Sequence, residues 1–169
     1  RKAFRKPEFL VFKTIRAKEN NKMKFLEYRP HVSYRSYWNF DGFLETSFLH
    51  IDNHWVWRNG FEVHTGVNLT TEGVTEDFEI FEEVIVPAGS YDHAELQLVF
   101  QTNASKPVYI TSRHILGGSF GGTRYINNAT VGIRIGDRFN SEHSIQQNNF
   151  DLPGGKFSAT VYGSRLAYS

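Results

Sequence analysis

Glu62 and Glu95 are the two carboxylates whose setting suggests acid–base chemistry, since each lies on the polar side of an alternating stretch. Only the long break 71–90 separates those stretches, so the two side chains are expected to neighbour each other in a sheet. A retaining glycosidase needs carboxyl groups about 5 Å apart, an inverting one somewhat more. Strand faces that line a polar lumen carry such residues anyway, so no catalytic residue is assigned. The histidines His31, His50, His54, His64, His93, His114 and His143 are scattered. None forms His-Glu-x-x-His, and His50 and His54 stand at a helical rather than a strand ligand spacing, so no metal and no cofactor is expected. Gly117-Gly118-Ser119-Phe120-Gly121 is one residue off a nucleophile elbow and lacks the Gly-Lys-Ser/Thr ending of a phosphate loop; it reads as a turn. The absence of cysteine excludes a disulfide scaffold, a thiolate zinc site and a cysteine nucleophile.

The element that must position these residues is the stretch Trp55–Thr70. Phe61, Val63, Thr65, Val67 and Leu69 alternate with Glu62, His64, Gly66, Asn68 and Thr70, a period of two that defines a strand with one apolar and one polar face. A three-residue loop, Arg58-Asn59-Gly60, sets Trp57 opposite Phe61, Trp55 opposite Val63 and Ile51 opposite Val67. A two-residue loop would put Trp57 opposite Glu62, on the wrong side, so the longer loop with a left-handed Gly60 is expected. The same phase runs back through Asn39–Gly42, a four-residue loop that sets Trp38 opposite Phe43. It continues into Leu26, Tyr28, Pro30, Val32 and Tyr34. Pro30 predicts a bulge or strand end.

Residues 1–22 read as a basic, irregular lead-in with one short apolar run at Phe9–Phe12 that allows a single strand, and Lys18–Lys22 reads as a turn. The break 71–90 is too long for a hairpin loop and too apolar for a free linker, and is expected to fold over the end of the sheet; the functional alternative is a lid or ligand-contacting loop. Strands resume at Tyr91, with Ala94, Leu96, Leu98 and Phe100 on the apolar side. A later one carries Tyr125, Ala129, Val131 and Ile133 opposite Arg124, Asn128, Thr130 and Arg134. The last two strands, over 139–149 and 157–168, show no decisive apolar face.

The fold expected is all-β: an antiparallel meander of about eight or nine long strands. Net charge is +1, which gives no field for nucleic acid. The strands are longer than is usual in soluble sandwiches and fit a tilted bilayer crossing of about 9–11 residues. Trp38, Trp55, Trp57, Phe61 and Tyr91 fall at strand ends, where interfacial girdles lie. Glu62, His64, Asn68, Glu95, Arg124 and Arg134 are then the candidates for a polar lumen or ligand surface.

The motifs WNFDG at Trp38–Gly42, WRNGFEVHTGVN at Trp57–Asn68, EDFEI at Glu76–Ile80 and VIVPAGSYDHAELQLVF at Val84–Phe100 come in order, followed by SKPV at Ser105–Val108, GGSFGGTR at Gly117–Arg124 and DLPGGKF at Asp151–Phe157. In these the chain resembles a family of bacterial outer-membrane proteins of unknown function. Its members are large, carry an N-terminal family-9-like carbohydrate-binding module, and several are described as membrane-associated hydrolases. The resemblance implies a C-terminal β-barrel preceded by periplasmic modules of the same chain, an outer-membrane location, a lipid bilayer as partner, and a saccharide as the solute class. The binding module and the family's final strands are missing from this sequence, so the expected form is an outer-membrane-type barrel, or part of one, with an open curved sheet as the alternative for a fragment. The function expected is a membrane anchor or pore wall. The alternatives are a soluble β-sandwich carbohydrate-binding module, with Trp55 and Trp57 as a stacking platform, and a membrane-associated hydrolase domain.

Overall fold

The computed structural model describes residues 3–168, and every regular element in them is a strand. In chain order these are β1 (Glu8–Phe12), β2 (Ile15–Arg16), β3 (Phe25–Trp38), β4 (Leu44–Trp57), β5 (Glu62–Val74), β6 (Phe78–Phe81), β7 (Val84–Val86), β8 (Gly89–Gln101), β9 (Val108–Ser119), β10 (Gly122–Ile135), β11 (Phe139–Leu152) and β12 (Gly155–Tyr168). One antiparallel sheet runs β1-β3-β4-β5-β8-β9-β10-β11-β12, with β2 also on β3 and β6-β7 a separate small hairpin. The fold is therefore an all-β meander, as expected, and the sheet is open rather than closed into a barrel. β1 and β12 are its free edges.

The loop at Arg58–Gly60 sets the register of the whole sheet. Trp57 N–H donates to the Phe61 carbonyl at 2.9 Å, and Gly60 has φ 83°, the left-handed conformation that lets this turn close without a steric penalty. From there Trp55 pairs with Val63 and Ile51 with Val67, as the alternation predicts.

Four local readings are refined. Asn39 N–H donates to the Phe43 carbonyl and Trp38 pairs with Leu44, not Phe43. The register shift between Tyr37 and Trp38 takes up the extra residue, Glu45, and restores the phase beyond it. The apolar run at Phe9–Phe12 does form a strand, and the edge it makes on β3 comes in two pieces, β1 and β2. Pro30 does not end β3. Lys13 N–H donates to the Pro30 carbonyl, but Pro30 has no N–H to return, so the interruption falls in the partner, between β1 and β2. Finally, β5 and β8 extend to Val74 and from Gly89, so the break within 71–90 shrinks to its middle, which folds as the β6–β7 hairpin.

That hairpin caps one end of the sheet. Val84 and Val86 are buried against Leu152, with Val74, Tyr91, Phe120, Phe150 and Phe157 around them. Elsewhere the sheet is a single layer, and its two faces are inverted relative to a protein folded around an apolar core. The side bearing Glu27, Asp52, Asn68, Glu95 and Gln97 is buried; the side bearing Ile51, Val67, Leu69, Leu96 and Leu116 is exposed. A single-layer sheet hides one face by curling towards it, so the polar face is the concave one.

Candidate functional site on the polar face

Three neighbouring cross-strand rows form the middle of the concave face. One holds Ser33, His50, Asn68, Glu95, Gly117 and Arg124; the next His31, Asp52, Gly66, Gln97 and Ile115; the third Arg29, His54, His64, Val99 and Arg113. Side chains along a row stand on neighbouring strands within contact range. Of the residues expected on a lumenal surface, Asn68, Glu95 and Arg124 are thus brought into one row and His64 lies two rows away.

Glu95 and Arg124 pair directly although β9 lies between their strands. The residue of β9 between them is Gly117, where a Cβ would lie 2.6 Å from the Glu95 Cα. A missing side chain there is what lets the guanidinium cross a strand. The Glu95 side chain is only 1% exposed, and this guanidinium is what compensates its burial. The same device recurs further along: Tyr109 lies over Gly132 and its hydroxyl donates to Glu142 Oε2 at 2.7 Å.

Glu62 is not a neighbour of Glu95. Asn68 is the partner of Glu95, and Glu62 stands six residues further along β5, about 20 Å at strand rise. Its contacts are His64 Nε2 at 3.4 Å and Arg29 Nη1 at 3.9 Å. The two-carboxylate geometry of a glycosidase is absent from this pair. Arg134 is also apart, pairing with Asn140 near the far end of β10.

A histidine cluster occupies the middle of the face. His31 and Asp52 are direct cross-strand partners, as are His54 and His64. Asp52 Oδ2 lies 3.4 Å from His50 Nε2 and 3.7 Å from His54 Nε2. His50 Nδ1 is 2.6 Å from Asn68 Oδ1, and the His54 and His64 rings stack with centroids 3.6 Å apart. The reading of His50 and His54 as helically spaced missed this. In a strand, residues i, i+2 and i+4 share a face, so His50-x-Asp52-x-His54 presents three donors together. That triplet, on the polar phase of β4, was the available signal.

The aromatics divide by end. Trp55, Trp57, Phe25, Tyr28 and Phe61 pack in a chain at one end of β3–β5, with centroid separations from 4.5 to 5.4 Å between successive partners. Trp38 lies at the opposite end of β3, its Nε1 donating to Ser36 Oγ at 3.0 Å. Tyr91 belongs with neither group. It sits on the polar phase of β8, stacks edge-on against Phe120, and donates its hydroxyl to the Pro87 carbonyl at 2.7 Å. It packs against the β6–β7 cap, because the extension of β8 to Gly89 brings it inside the sheet's end.

No helix among the described residues is long and apolar enough to cross a membrane, which leaves crossing by strands open. No family model, no curated protein and no solved structure matches the chain.

Proposed function

We propose that this chain is a segment of a bacterial outer-membrane β-barrel and serves as membrane anchor or pore wall, with its concave face towards a polar passage. The observation that carries the reading is one row of the outer face: Val32, Ile51, Val67, Leu96, Leu116 and Tyr125. Ile51, Val67, Leu96 and Leu116 in this row are 44–51% exposed, while the adjacent row on the other face buries Asp52 and Gln97. Water would reward the opposite arrangement; lipid outside and a polar lumen inside reward this one. Within the paired rows of β4, β5 and β8, the one charged residue on the outer face is Asp92, bonded by Thr71 Oγ1 at the strand end. The strand arginines Arg29, Arg35, Arg113, Arg124, Arg134 and Arg165 all fall on the concave phase.

The aromatic ends fit the thickness of a bilayer. From Leu44, the partner of Trp38, to Trp55 is eleven residue steps along β4. That is about 36 Å of strand and, tilted by about 40°, about 28 Å along the membrane normal, close to the apolar band of such barrels. The band stops at β11, whose outer phase carries Ser141, His143, Gln147 and Asn149. This strand meets water or polypeptide and not acyl chains.

Residues of both charge signs, amides and hydroxyls on the concave face suit an uncharged, hydroxyl-rich solute such as a saccharide, the class the sequence resemblance implies, with periplasmic modules of the same longer chain as partners. The test is flotation of the chain with liposomes after urea and carbonate washes. Retention in the lipid fraction supports the anchor. A chain that stays in the aqueous fraction as a folded monomer overturns it and favours the soluble carbohydrate-binding alternative.

A further inference from the structure

We infer that His31, His50 and Asp52 form a binding site for a divalent first-row transition metal, with zinc the ion that their donors suit best. Each residue offers one ligand atom, and these atoms lie within 4.8 Å of one another. Two imidazoles and a carboxylate form a mixed nitrogen–oxygen set typical of zinc and its neighbours. The 3.4 Å between Asp52 Oδ2 and His50 Nε2 is close to the roughly 3.3 Å edge of a tetrahedron built on bonds of about 2.0–2.1 Å.

The orientation of the rings points the same way. His50 Nδ1 donates to Asn68 Oδ1 at 2.6 Å, which turns Nε2 towards the Asp52 carboxylate. The carboxylate favours positive charge at that nitrogen, whether the proton of an imidazolium or a metal ion in its place. His31 Nδ1 faces the Arg29 carbonyl at 3.4 Å, so both rings have an oxygen partner behind them, the arrangement that fixes tautomer and direction in metal-bound histidine. Asn68, 2% exposed, is the firmer of the two supports.

Asp52 supplies the independent indication. Its side chain is 1% exposed, and its Oδ1 has no hydrogen-bond partner among the described residues. No lysine or arginine pairs with it there; its charged-type contacts are His50 and His54. Burying a carboxylate so sparsely satisfied is costly, and a bound cation offsets that cost. Gly66, its partner on β5, keeps the space beside it open: a Cβ would lie 3.1 Å from His50 Cε1 and 3.2 Å from Asp52 Oδ2.

A second triad, Asp52 with His54 and His64, shares the carboxylate. Its two rings are parallel, 7° apart, at 3.6 Å between centroids. In-plane lone pairs on parallel rings do not converge on one ion, so the site falls on the His31 side. Three protein ligands leave a coordination position for water or for an oxygen of a passing solute.

The test is titration of the untagged full chain with Co²⁺, followed by its absorption spectrum, and with Zn²⁺ against a chromogenic chelator. It is run in whichever medium the chain dissolves in, detergent or buffer, so failure of the membrane reading leaves the metal result legible. The expected result is one equivalent of ion. Asp52→Asn and His31→Gln abolish binding, and Asn68→Ala weakens it by about 10–100-fold. His64→Gln and the outer-face His114→Gln leave it unchanged. Circular dichroism and tryptophan emission establish that each variant is folded, and Asn68→Ala, which removes no ligand, stands in should a ligand variant fail to fold. The inference is overturned by a folded chain that takes up no stoichiometric ion. Unaltered binding in Asp52→Asn overturns it too, as does binding that is lost in His64→Gln but kept in His31→Gln.

Discussion

Arg124 on β10 reaches across Gly117 on β9 to hold Glu95 on β8, so one ion pair ties three strands. Glu95 is the more deeply buried partner, and removing the guanidinium leaves a carboxylate without compensation. Arg124→Ala is expected to cost about 3–5 kcal/mol. Gly117→Ala should produce a comparable loss by a different route, since the new methyl strikes the β8 backbone at Ala94 and Glu95. Urea unfolding of the refolded chain, followed by tryptophan emission, measures both. A loss under about 1 kcal/mol for Arg124→Ala would mean the pair is not what satisfies Glu95.

The outer face gives a prediction of opposite sense on its two sides. Leu96→Arg places a charge in the middle of the apolar row and is expected to cost about 2–4 kcal/mol of folding into bilayers. Gln146→Arg, an exposed position on the concave phase of β11, should change stability by no more than about 0.5 kcal/mol. Equilibrium folding into liposomes compares the two, and equal costs would show that the faces do not differ in their solvent.

The β6–β7 cap rests on a small apolar cluster, which makes it the easiest part to loosen. Leu152→Ala removes the side chain that Val84 and Val86 pack on and is expected to cost about 2 kcal/mol, the lower end for a buried leucine because the cluster is small. The segment 76–83 should then become the first site of limited proteolysis. Cleavage that begins elsewhere, with this hairpin still protected, would show that Leu152 is not its anchor.

The long strands were legible because a period of two and one turn suffice to set every face: once Gly60 closes the loop after Trp57, the pairs Trp55–Val63 and Ile51–Val67 follow. The same logic could not reach β1, whose residues Phe9, Leu10, Val11 and Phe12 are apolar on both phases and exposed on both. It failed locally at Trp38, where the shift at Glu45 adds a residue without any glycine or proline to announce it. It was silent on β11 because Ser141, His143, Gln147 and Asn149 oppose Asn140, Glu142, Gln146 and Asn148, and alternation carries no signal when both faces are polar. At the candidate site, Asn68, Glu95 and Arg124 could be assigned to one face from sequence, but their alignment in one row depends on the register across three turns. Asp52 was overlooked for another reason. Helical ligand spacing is the wrong template for His50 and His54, which lie in a segment that the alternation makes a strand.

The polar outer face of β11 also bears on where the bilayer contact ends. A tryptophan placed at His143 should report water, while one placed at Leu96 should report acyl chains, though both sit on the same side of the sheet. Emission maxima of the two variants, with the native tryptophans replaced by phenylalanine, would separate them. Matching blue-shifted spectra would extend the lipid band past β10.

The most direct test of the central claim is depth-dependent quenching of single-tryptophan chains by lipids brominated at different acyl positions. The account predicts that Trp38, Trp55 and Trp57 are quenched most by bromines near the headgroups, and that a tryptophan at Leu96 is quenched most by bromines near the bilayer centre. A folded chain whose tryptophans ignore bromine at every depth would contradict the membrane reading, and the exposed row through Ile51, Val67 and Leu96 would then have to be covered by protein.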